Sequence, residues 1–266
     1  MASLRDGIIK GEGKLESTEN LLIEQKLNKL FYIQPDYNRE ILMLKEQAKL
    51  KSSDRYGLHA SAILASDNKF CYREQVLSLF YKQVQGDNIP IGLKRIFEEG
   101  NFVGEKWQRL FIRGKLGDYC DMDISRFNEK YDLSFTPDAI ITIGKHKYIV
   151  EIKSQNTFTF KKQKGHPSGE LQCLFYMHLE GIKKGFVLVE DKNCQEYKVI
   201  TVKYDPTKLE KYIDRLEMVQ SYKNKFIAKK KMPKRICSGS KCKRAEECSM
   251  RDACFNIGIG RVKLDV

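Results

Sequence analysis

Long apolar segments are missing from this chain of 266 residues. No stretch approaches the roughly 20 consecutive apolar residues of a transmembrane helix, and the N-terminus lacks the apolar core of a secretory signal peptide. We therefore expect a soluble, cytoplasmic protein with no membrane partner. Apolar residues still make up 41% of the sequence, so the chain is long enough and apolar enough to bury a hydrophobic core.

Acidic residues are outnumbered in this sequence. It has 35 Asp and Glu against 48 Lys and Arg, which gives a net charge of +13. A balance of this size favours a polyanionic partner, and combined with the carboxylate pair described below it points to a nucleic acid. The composition alone does not choose between DNA and RNA.

The chain has eight cysteines but lacks the secretory signal that would accompany a disulfide framework, so metal ligands or buried thiols are the better interpretation. Half of them, Cys237, Cys242, Cys248 and Cys254, lie within eighteen residues. That density predicts a metal centre. It is either a local zinc site or an iron–sulfur cluster that recruits a distant cysteine, and reduced thiols without a metal are the remaining alternative.

Hydrophobic periodicity predicts helices and strands that alternate along most of the chain. The predicted helices cover 19–33, 37–51, 60–65, 71–82, 91–112, 168–179 and 206–229. The predicted strands cover 120–127, 133–143, 147–153, 185–189 and 196–202. In the helix 91–112, the expected inner face comprises Ile96, Phe97, Trp107, Leu110 and Phe111. This order predicts an α/β fold with a mixed β-sheet flanked by helices.

Two carboxylates and a lysine lie at the ends of a predicted β-hairpin. Asp138 immediately precedes its first apolar run, and Glu151 and Lys153 follow the second. Because side chains alternate along a strand, Glu151 and Lys153 share one face. A hairpin that brings Asp138 beside Glu151 creates an oxygen-rich pocket suited to Mg²⁺ or Mn²⁺, with a lysine next to it. This set of groups is suited to phosphodiester hydrolysis.

The sequence Pro137-Asp138, followed by Glu151-Ile152-Lys153 and then by Gln172-x-x-x-Tyr176, resembles the PD-(D/E)XK nuclease superfamily. The Gln-x-x-x-Tyr element is similar to that of the RecB-like exonuclease branch, which includes CRISPR-associated exonucleases with an iron–sulfur cluster. The resemblance covers roughly residues 58–254. It implies a restriction-endonuclease-like core at 58–235, a helical N-terminal extension at 1–57, and a cysteine-rich tail at 236–266 that packs on the core.

The same resemblance implies a role for each motif residue. Asp138, Glu151 and the Ile152 carbonyl would bind Mg²⁺ or Mn²⁺, and Lys153 would orient or help deprotonate the attacking water. Gln172 and Tyr176 lie one helical turn apart and would contact the DNA backbone or brace Lys153. The implied activity is that of a metal-dependent DNA exonuclease in recombination, repair or phage-type DNA processing, acting on single strands or DNA ends, with an oligomer as one option.

One position departs from the family pattern. The family usually has a histidine four residues after a glycine on the helix before the hairpin, and here Gly100 is followed at that spacing by Gly104. Either Glu105 substitutes as an oxygen ligand, or metal binding is weakened, or the sequence carries a natural or engineered loss of the ligand. The alternative function is therefore a catalytically weak DNA-binding or adaptor subunit that keeps the nuclease fold.

For the cysteines, the resemblance implies a 4Fe-4S cluster. Its ligands would be Cys71, Cys248 and Cys254, with either Cys237 or Cys242 as the fourth, and Zn²⁺ remains the alternative.

A basic segment with an aromatic residue follows the Glu-x-Lys strand. It contains Phe158, Lys161, Lys162 and Lys164. We interpret it as a loop whose lysines grip phosphates while the ring stacks on a base, as proteins that bind single strands do.

Overall fold

The computed structural model describes residues 12–50, 57–81 and 91–256. Its helices are α1 (Glu12–Leu30), α2 (Tyr37–Leu50), α3 (Ala60–Ile63), α4 (Tyr72–Ser78), α5 (Ile91–Arg113), α6 (Thr157–Lys162), α7 (Pro167–Glu180), α8 (Glu210–Lys229), α9 (Lys243–Glu246) and α10 (Arg251–Phe255). Its strands are β1 (Leu58–His59), β2 (Arg126–Asn128), β3 (Leu133–Phe135), β4 (Ala139–Ile143), β5 (His146–Gln155), β6 (Lys184–Asp191) and β7 (Tyr197–Lys203). Lys51 and Lys82, predicted to end two helices, lie outside the described residues.

The described residues form two compact units, each assembled from separate stretches of chain. The first unit contains 12–45, 100–122 and 138–204, and the second contains 46–50, 57–81, 91–99, 123–137 and 205–256. The boundaries predicted at 57 and 235 divide the chain into consecutive segments, whereas each compact unit combines separate stretches. The predicted boundaries therefore stay a prediction.

A four-stranded mixed sheet organises the first unit, in the order β4-β5-β6-β7. Strands β4 and β5 form an antiparallel hairpin, which confirms the predicted one, and Gly144 in its turn has φ +63°. The β5–β6 pair is parallel and the β6–β7 pair is antiparallel. The parallel pair requires a crossover connection, which α6 and α7 supply.

Helices cover both faces of this sheet. On one face, buried residues of α1 and α5, among them Ile23, Trp107 and Phe111, form one hydrophobic core with Val150 and Ile152 of β5. On the other face lies α7. The predicted α/β fold with a mixed sheet flanked by helices is therefore confirmed.

Close approach of α7 to the sheet depends on a glycine at the start of β6. A Cβ atom on Gly185 would lie 2.6 Å from Cys173 Sγ, 2.7 Å from Met177 Sδ and 3.0 Å from the Ile149 carbonyl oxygen. Only a residue without a side chain fits there. Helix α7 ends at Gly181, whose left-handed conformation (φ +69°) terminates the helix before β6.

The second unit contains a three-stranded sheet, in the order β1-β3-β2, and the helices α3, α4, α8, α9 and α10. The buried Arg215 of α8 donates hydrogen bonds to the carbonyls of Ile63 (2.5 Å) and Ala65 (2.6 Å) and pairs with Asp67 at 2.6 Å. Its guanidinium carbon lies 4.0 Å from the centroid of the Phe70 ring. One buried cation thus ties α8 to the chain that follows α3.

Two predicted strands were wrong in extent. The segment 133–143 is divided into β3 and β4, because Pro137 has no amide N–H to donate to a sheet. Only the last two residues of the segment 120–127 lie in β2. Residues Tyr119–Asp121 instead form a 3₁₀ turn closed by a capping box between Asp118 and Asp121.

The predicted inner face of α5 was wrong in its first half. Ile96 and Phe97 are about half exposed, at 55% and 52%, whereas Trp107, Leu110 and Phe111 are buried. Periodicity identified the apolar stripe, but the stripe is covered only where α1 and the sheet lie against it.

Among the described residues, no helix combines the length and the apolar content needed to cross a bilayer.

Candidate functional site

The hairpin register brings Asp138 and Glu151 together. Ala139 pairs with Val150. Asp138, which precedes Ala139, and Glu151, which follows Val150, are therefore neighbours. The Asp138 carboxylate accepts a hydrogen bond from the backbone N–H of Ile152 (2.7 Å to Oδ2). The backbone of β5 thus holds the Asp138 carboxylate beside Glu151.

Lys153 bridges the two carboxylates. Its Nζ atom lies 2.8 Å from Glu151 Oε2 and 3.7 Å from Asp138 Oδ2. Burial acts to lower the pKa of Lys153, but the two carboxylates outweigh it and the pKa is raised. The side chain is therefore a protonated ammonium group between two acids.

One oxygen of this group has no partner. Glu151 is fully buried, and its Oε1 atom makes no hydrogen bond. Burial first, and then the nearby Asp138 carboxylate, raise the pKa of Glu151 to about 8. A buried acceptor without a donor is unfavourable, and a cation bound between the two carboxylates would satisfy it. The Asp138 side chain is 27% exposed, so the pair can be reached from solvent.

The face of α7 that meets β5 contributes Gln172 and Tyr176. Gln172 Nε2 donates a hydrogen bond to the Tyr176 hydroxyl at 3.0 Å. Tyr176 is buried, and burial together with the Glu151 charge raises its pKa. Tyr176 therefore lies close enough to the carboxylates to sense their charge as a neutral phenol, and Gln172 is its hydrogen-bond partner.

The first turn of α7 packs on Lys153. A Cβ atom on Gly169 would lie 2.8 Å from His166 Nδ1 and 3.3 Å from Lys153 Cγ, so the glycine leaves room for both side chains. His166 is the N-cap of α7, and its Nδ1 accepts a hydrogen bond from the Gly169 N–H at 3.0 Å. Burial and then the Lys153 charge lower the pKa of His166. Sequence reasoning did not identify this histidine as a neighbour of the site.

Helix α5 meets the site through Gln108. This buried side chain donates a hydrogen bond from Nε2 to the Asp138 carbonyl oxygen at 2.9 Å. One turn earlier, a Cβ atom on Gly104 would have no neighbour within 4 Å. The next residue, Glu105, has a carboxylate that is 44% exposed and pairs with Arg109 at 3.4 Å; its role as a substitute ligand stays a prediction. Within the described residues, no group of three or more His, Cys, Asp or Glu could hold a metal ion.

The basic segment predicted as a loop is the short helix α6. Phe158 is 74% exposed, and Lys162 Nζ lies 5.5 Å from the centroid of its ring. Lys161 and Lys164 are also exposed. Lys198 of β7 donates hydrogen bonds to the carbonyls of Phe160 (2.8 Å) and Gln163, which fixes the helix to the sheet.

Four cysteines of the second unit line a single cavity. They are Cys71, the N-cap of α4, together with Cys237, Cys248 and Cys254 of the tail. Burial raises the pKa of Cys71, and burial followed by the Glu74 charge raises that of Cys248. In the described part of the chain, no three of these thiols form a group that could hold a metal ion.

Cys242 does not line this cavity. It is the N-cap residue of α9, and the Ala245 backbone N–H, the largest of several influences, lowers its pKa to about 7. Burial first, and then the nearby Cys242, raise the pKa of Cys237. Of the two candidates for the fourth ligand, only Cys237 therefore shares the cavity with Cys71.

Arginines fix the backbone around the cysteine cavity. Arg73 donates a hydrogen bond to the Pro233 carbonyl (2.9 Å), Arg235 to the Cys254 carbonyl (2.7 Å) and Arg251 to the Ser240 carbonyl (2.9 Å). The Nε atom of Arg73 is buried without a partner. All three arginines line the cavity together with one acid, Glu74, so positive side chains outnumber negative ones around it.

No family model matches the chain, and neither does any curated protein. Solved structures with a similar arrangement include LHK-Exo in complex with dAMP. It is 13% identical, with a TM-score of 0.48 over 68% of this chain and 92% of that one. The alkaline exonuclease LHK-Exo from Laribacter hongkongensis is 15% identical, with a TM-score of 0.46 over 65% and 90%. The protein SSO0001 is 14% identical, with a TM-score of 0.39 over 77% and 87%. Identities and scores at this level transfer no function, so the site itself must supply it.

The arrangement can hold a divalent cation between two carboxylates and place an ammonium group beside it. Tyr176 and Cys173, which lie next to it on α7, are buried and have raised pKa values. Sequence reasoning missed Gln108, although its position four residues after Gly104 places both on one helical face.

Proposed function

We propose that the protein is a Mg²⁺- or Mn²⁺-dependent deoxyribonuclease of the RecB-like exonuclease kind. The observation that carries this proposal is the group of Asp138, Glu151 and Lys153, in which a fully buried carboxylate oxygen has no partner. The net charge of +13 supports a polyanionic substrate.

Asp138 and Glu151 would hold the cation, with the Ile152 carbonyl as a further ligand. An all-oxygen donor set of this kind suits Mg²⁺ or Mn²⁺. When bound, the cation supplies Lewis acidity and lowers the pKa of its bound water. Because the pKa of Lys153 is raised, its ammonium group would act as a charge and hydrogen-bond donor to the phosphate rather than as a base.

Helix α6 would hold the DNA strand that leads to this site. Phe158 offers an exposed ring for base stacking, and Lys161, Lys162 and Lys164 offer charges for phosphates. A single-stranded segment or a DNA end would fit this use, because stacking needs an unpaired base. Replacing the three lysines with Ala should flatten the salt dependence of DNA binding. An unchanged slope would remove them from the interface.

The cysteine cavity would hold a 4Fe-4S cluster bound by Cys71, Cys237, Cys248 and Cys254. A cluster has one iron for each cysteine, so its thiolates stand farther apart than those around one zinc ion. The unpartnered Arg73 Nε and the nearby Arg235 and Arg251 support an anionic occupant. Cys242, outside the cavity, would remain a free thiol.

A second candidate is a DNA-binding subunit with little hydrolytic activity. The open space above Gly104 favours it, since α5 supplies no imidazole or carboxylate there. DNA would then bind along α6 while the carboxylate pair holds a cation too weakly for turnover.

Cleavage of end-labelled linear DNA separates these candidates. Anaerobically purified protein would be incubated with single- and double-stranded substrates and Mg²⁺ or Mn²⁺. Glu151→Ala removes the buried ligand, and Glu196→Ala, which changes an exposed carboxylate of the same unit, is the matched control. We expect end release by the native protein and by Glu196→Ala, and none by Glu151→Ala.

Binding without cleavage, followed by cleavage in a Gly104→His protein, would favour the second candidate. The absence of both binding and cleavage would contradict both.

A further inference from the structure

Asp138 is held by two different parts of the protein. The Ile152 N–H donates a hydrogen bond to its carboxylate, and the amide of Gln108 donates one to its carbonyl oxygen. Ile152 belongs to β5, which the hairpin already places beside Asp138. Gln108 is the contribution of α5, and it lies thirty residues away along the chain.

Gln108 satisfies only half of its own hydrogen-bonding capacity. The side chain is 4% exposed, and its Oε1 atom has no partner, just as Oε1 of Glu151 has none. Burial of an amide oxygen without a donor is unfavourable. If packing alone mattered at this position, Leu or Met would suit it better than Gln. The polar side chain is therefore explained by what it does for Asp138.

We propose that Gln108 is a positioning residue of the cation site. By holding the main chain at Asp138 from the α5 side, it sets the separation of the two carboxylates and so their affinity for Mg²⁺ or Mn²⁺. This inference rests on the proposed cation site and deepens it. Partners that orient metal ligands typically change metal affinity 10- to 100-fold when replaced.

Isothermal titration of the whole protein with MnCl₂ tests the inference. Gln108→Met keeps the length of the side chain but removes the donor. The matched control is Gln220→Met, because Gln220 makes the same kind of bond, from Nε2 to the Tyr131 carbonyl oxygen at 2.6 Å, in the second unit. We expect the Mn²⁺ dissociation constant to rise about tenfold or more in Gln108→Met, and to stay within twofold of the native value in Gln220→Met.

A residue that only supports the fold would lower the melting temperature and leave the Mn²⁺ affinity of the folded protein unchanged. An unchanged dissociation constant in Gln108→Met, with binding lost in Glu151→Ala, would overturn this inference and leave the nuclease proposal standing. If the native protein binds Mn²⁺ no better than Glu151→Ala, the cation site itself fails. Should Gln108→Met lack a cooperative thermal transition, Gln108→Leu is titrated instead. Its side chain is apolar and lacks the donor, and the same tenfold rise is expected.

Discussion

A single ammonium group lies between the two carboxylates of the site. Its effect on cation binding and its effect on catalysis can be measured separately. Lys153 contacts both Glu151 and Asp138, so it competes with a bound cation for the same oxygens. In the proposed reaction it also donates to the phosphate. Its loss should therefore strengthen cation binding while weakening catalysis.

Lys153→Met should lower kcat by about 100- to 1,000-fold, the range found when one preorganised donor to a developing charge is removed. The Mn²⁺ dissociation constant should fall rather than rise. The control is Lys147→Met, which changes an exposed lysine of the same strand and should match the native protein in both measurements. A Lys153→Met protein with native turnover would remove Lys153 from the mechanism.

The carboxylate–lysine group was predictable because it depends on local rules. A two-residue strand period and a tight turn are enough to place Asp138 beside Glu151, and the register confirms it. Gln108 was not predictable in the same way. Its partner is a main-chain carbonyl, which every residue has, so no pattern of side chains in the sequence predicts this hydrogen bond.

Two glycines of the first unit have opposite surroundings, and opposite effects of substitution are expected. A Cβ atom on Gly104, inside α5, would have no neighbour within 4 Å, whereas one on Gly185 would face two sulfur atoms and a carbonyl oxygen at 3.0 Å or less. Gly104→Ala should stabilise the protein by about 0.5–1 kcal/mol, because glycine is a poor helix former. Gly185→Ala should destabilise it by about 1–3 kcal/mol through overpacking.

Urea denaturation of the two variants measures this contrast as changes in the free energy of unfolding. Equal shifts in the two proteins would mean that the space around these glycines does not govern their stability.

At the scale of elements, α1 is part of the core of the first unit rather than an attachment to it. Ile23, Leu27 and Leu30 are almost fully buried in the same cluster as Trp107. The Tyr197 hydroxyl donates a hydrogen bond to Asn28 Oδ1 at 2.8 Å. Periodicity predicted the helix but not its partner, because an amphipathic pattern identifies an apolar face and not the surface that covers it.

A polar contact at the start of α1 predicts a pH dependence. Glu19 Oε1 accepts hydrogen bonds from Lys184 Nζ (2.6 Å) and the Tyr148 hydroxyl (3.0 Å). Burial acts to raise the pKa of Glu19, but these bonds outweigh it and the pKa is lowered from 4.5. A carboxyl whose pKa is lower in the folded state stabilises the protein above its unfolded pKa, and this stabilisation is lost as the pH falls through the folded value.

Glu19→Gln should therefore be less stable than the native protein at pH 7, by about 0.5–1 kcal/mol for a partly exposed pair. The difference should vanish toward pH 3. Denaturation at both pH values checks this, with Glu196→Gln, an exposed carboxylate, as the control. A difference that persists at pH 3 would assign the effect to packing of the side chain rather than to its charge.

The elements that sequence reasoning misjudged share a cause. Backbone chemistry, not periodicity, ends β3 before Pro137 and closes the 3₁₀ turn at Tyr119–Asp121. The short helix α6 was predicted as a loop because its six residues are fewer than two helical turns. Its N-cap, Asn156, accepts a hydrogen bond from the Thr159 N–H, and this cap is the signal that would have revealed it.

At the scale of the whole molecule, the chain passes back and forth between two compact units, and the cysteine cavity belongs to the second. The cavity joins α4 to the tail, and the Arg73–Pro233 hydrogen bond beside it spans 160 residues of sequence. A cluster bound there would close a long loop, and the free energy of binding it would contribute directly to folding. Loss of the cluster should therefore affect stability far more than loss of any single hydrogen bond.

Anaerobically purified native protein should be brown, with broad visible absorbance and bound iron. Cys71→Ser and Cys248→Ser should lose iron and melt at a clearly lower temperature, because the tail is no longer tied to α4. Cys242→Ser should keep both its iron and its melting temperature, since Cys242 lies outside the cavity. If Cys242→Ser loses iron and Cys237→Ser does not, Cys242 rather than Cys237 is the fourth ligand. A colourless native protein that contains zinc would contradict the cluster and assign zinc to the cavity.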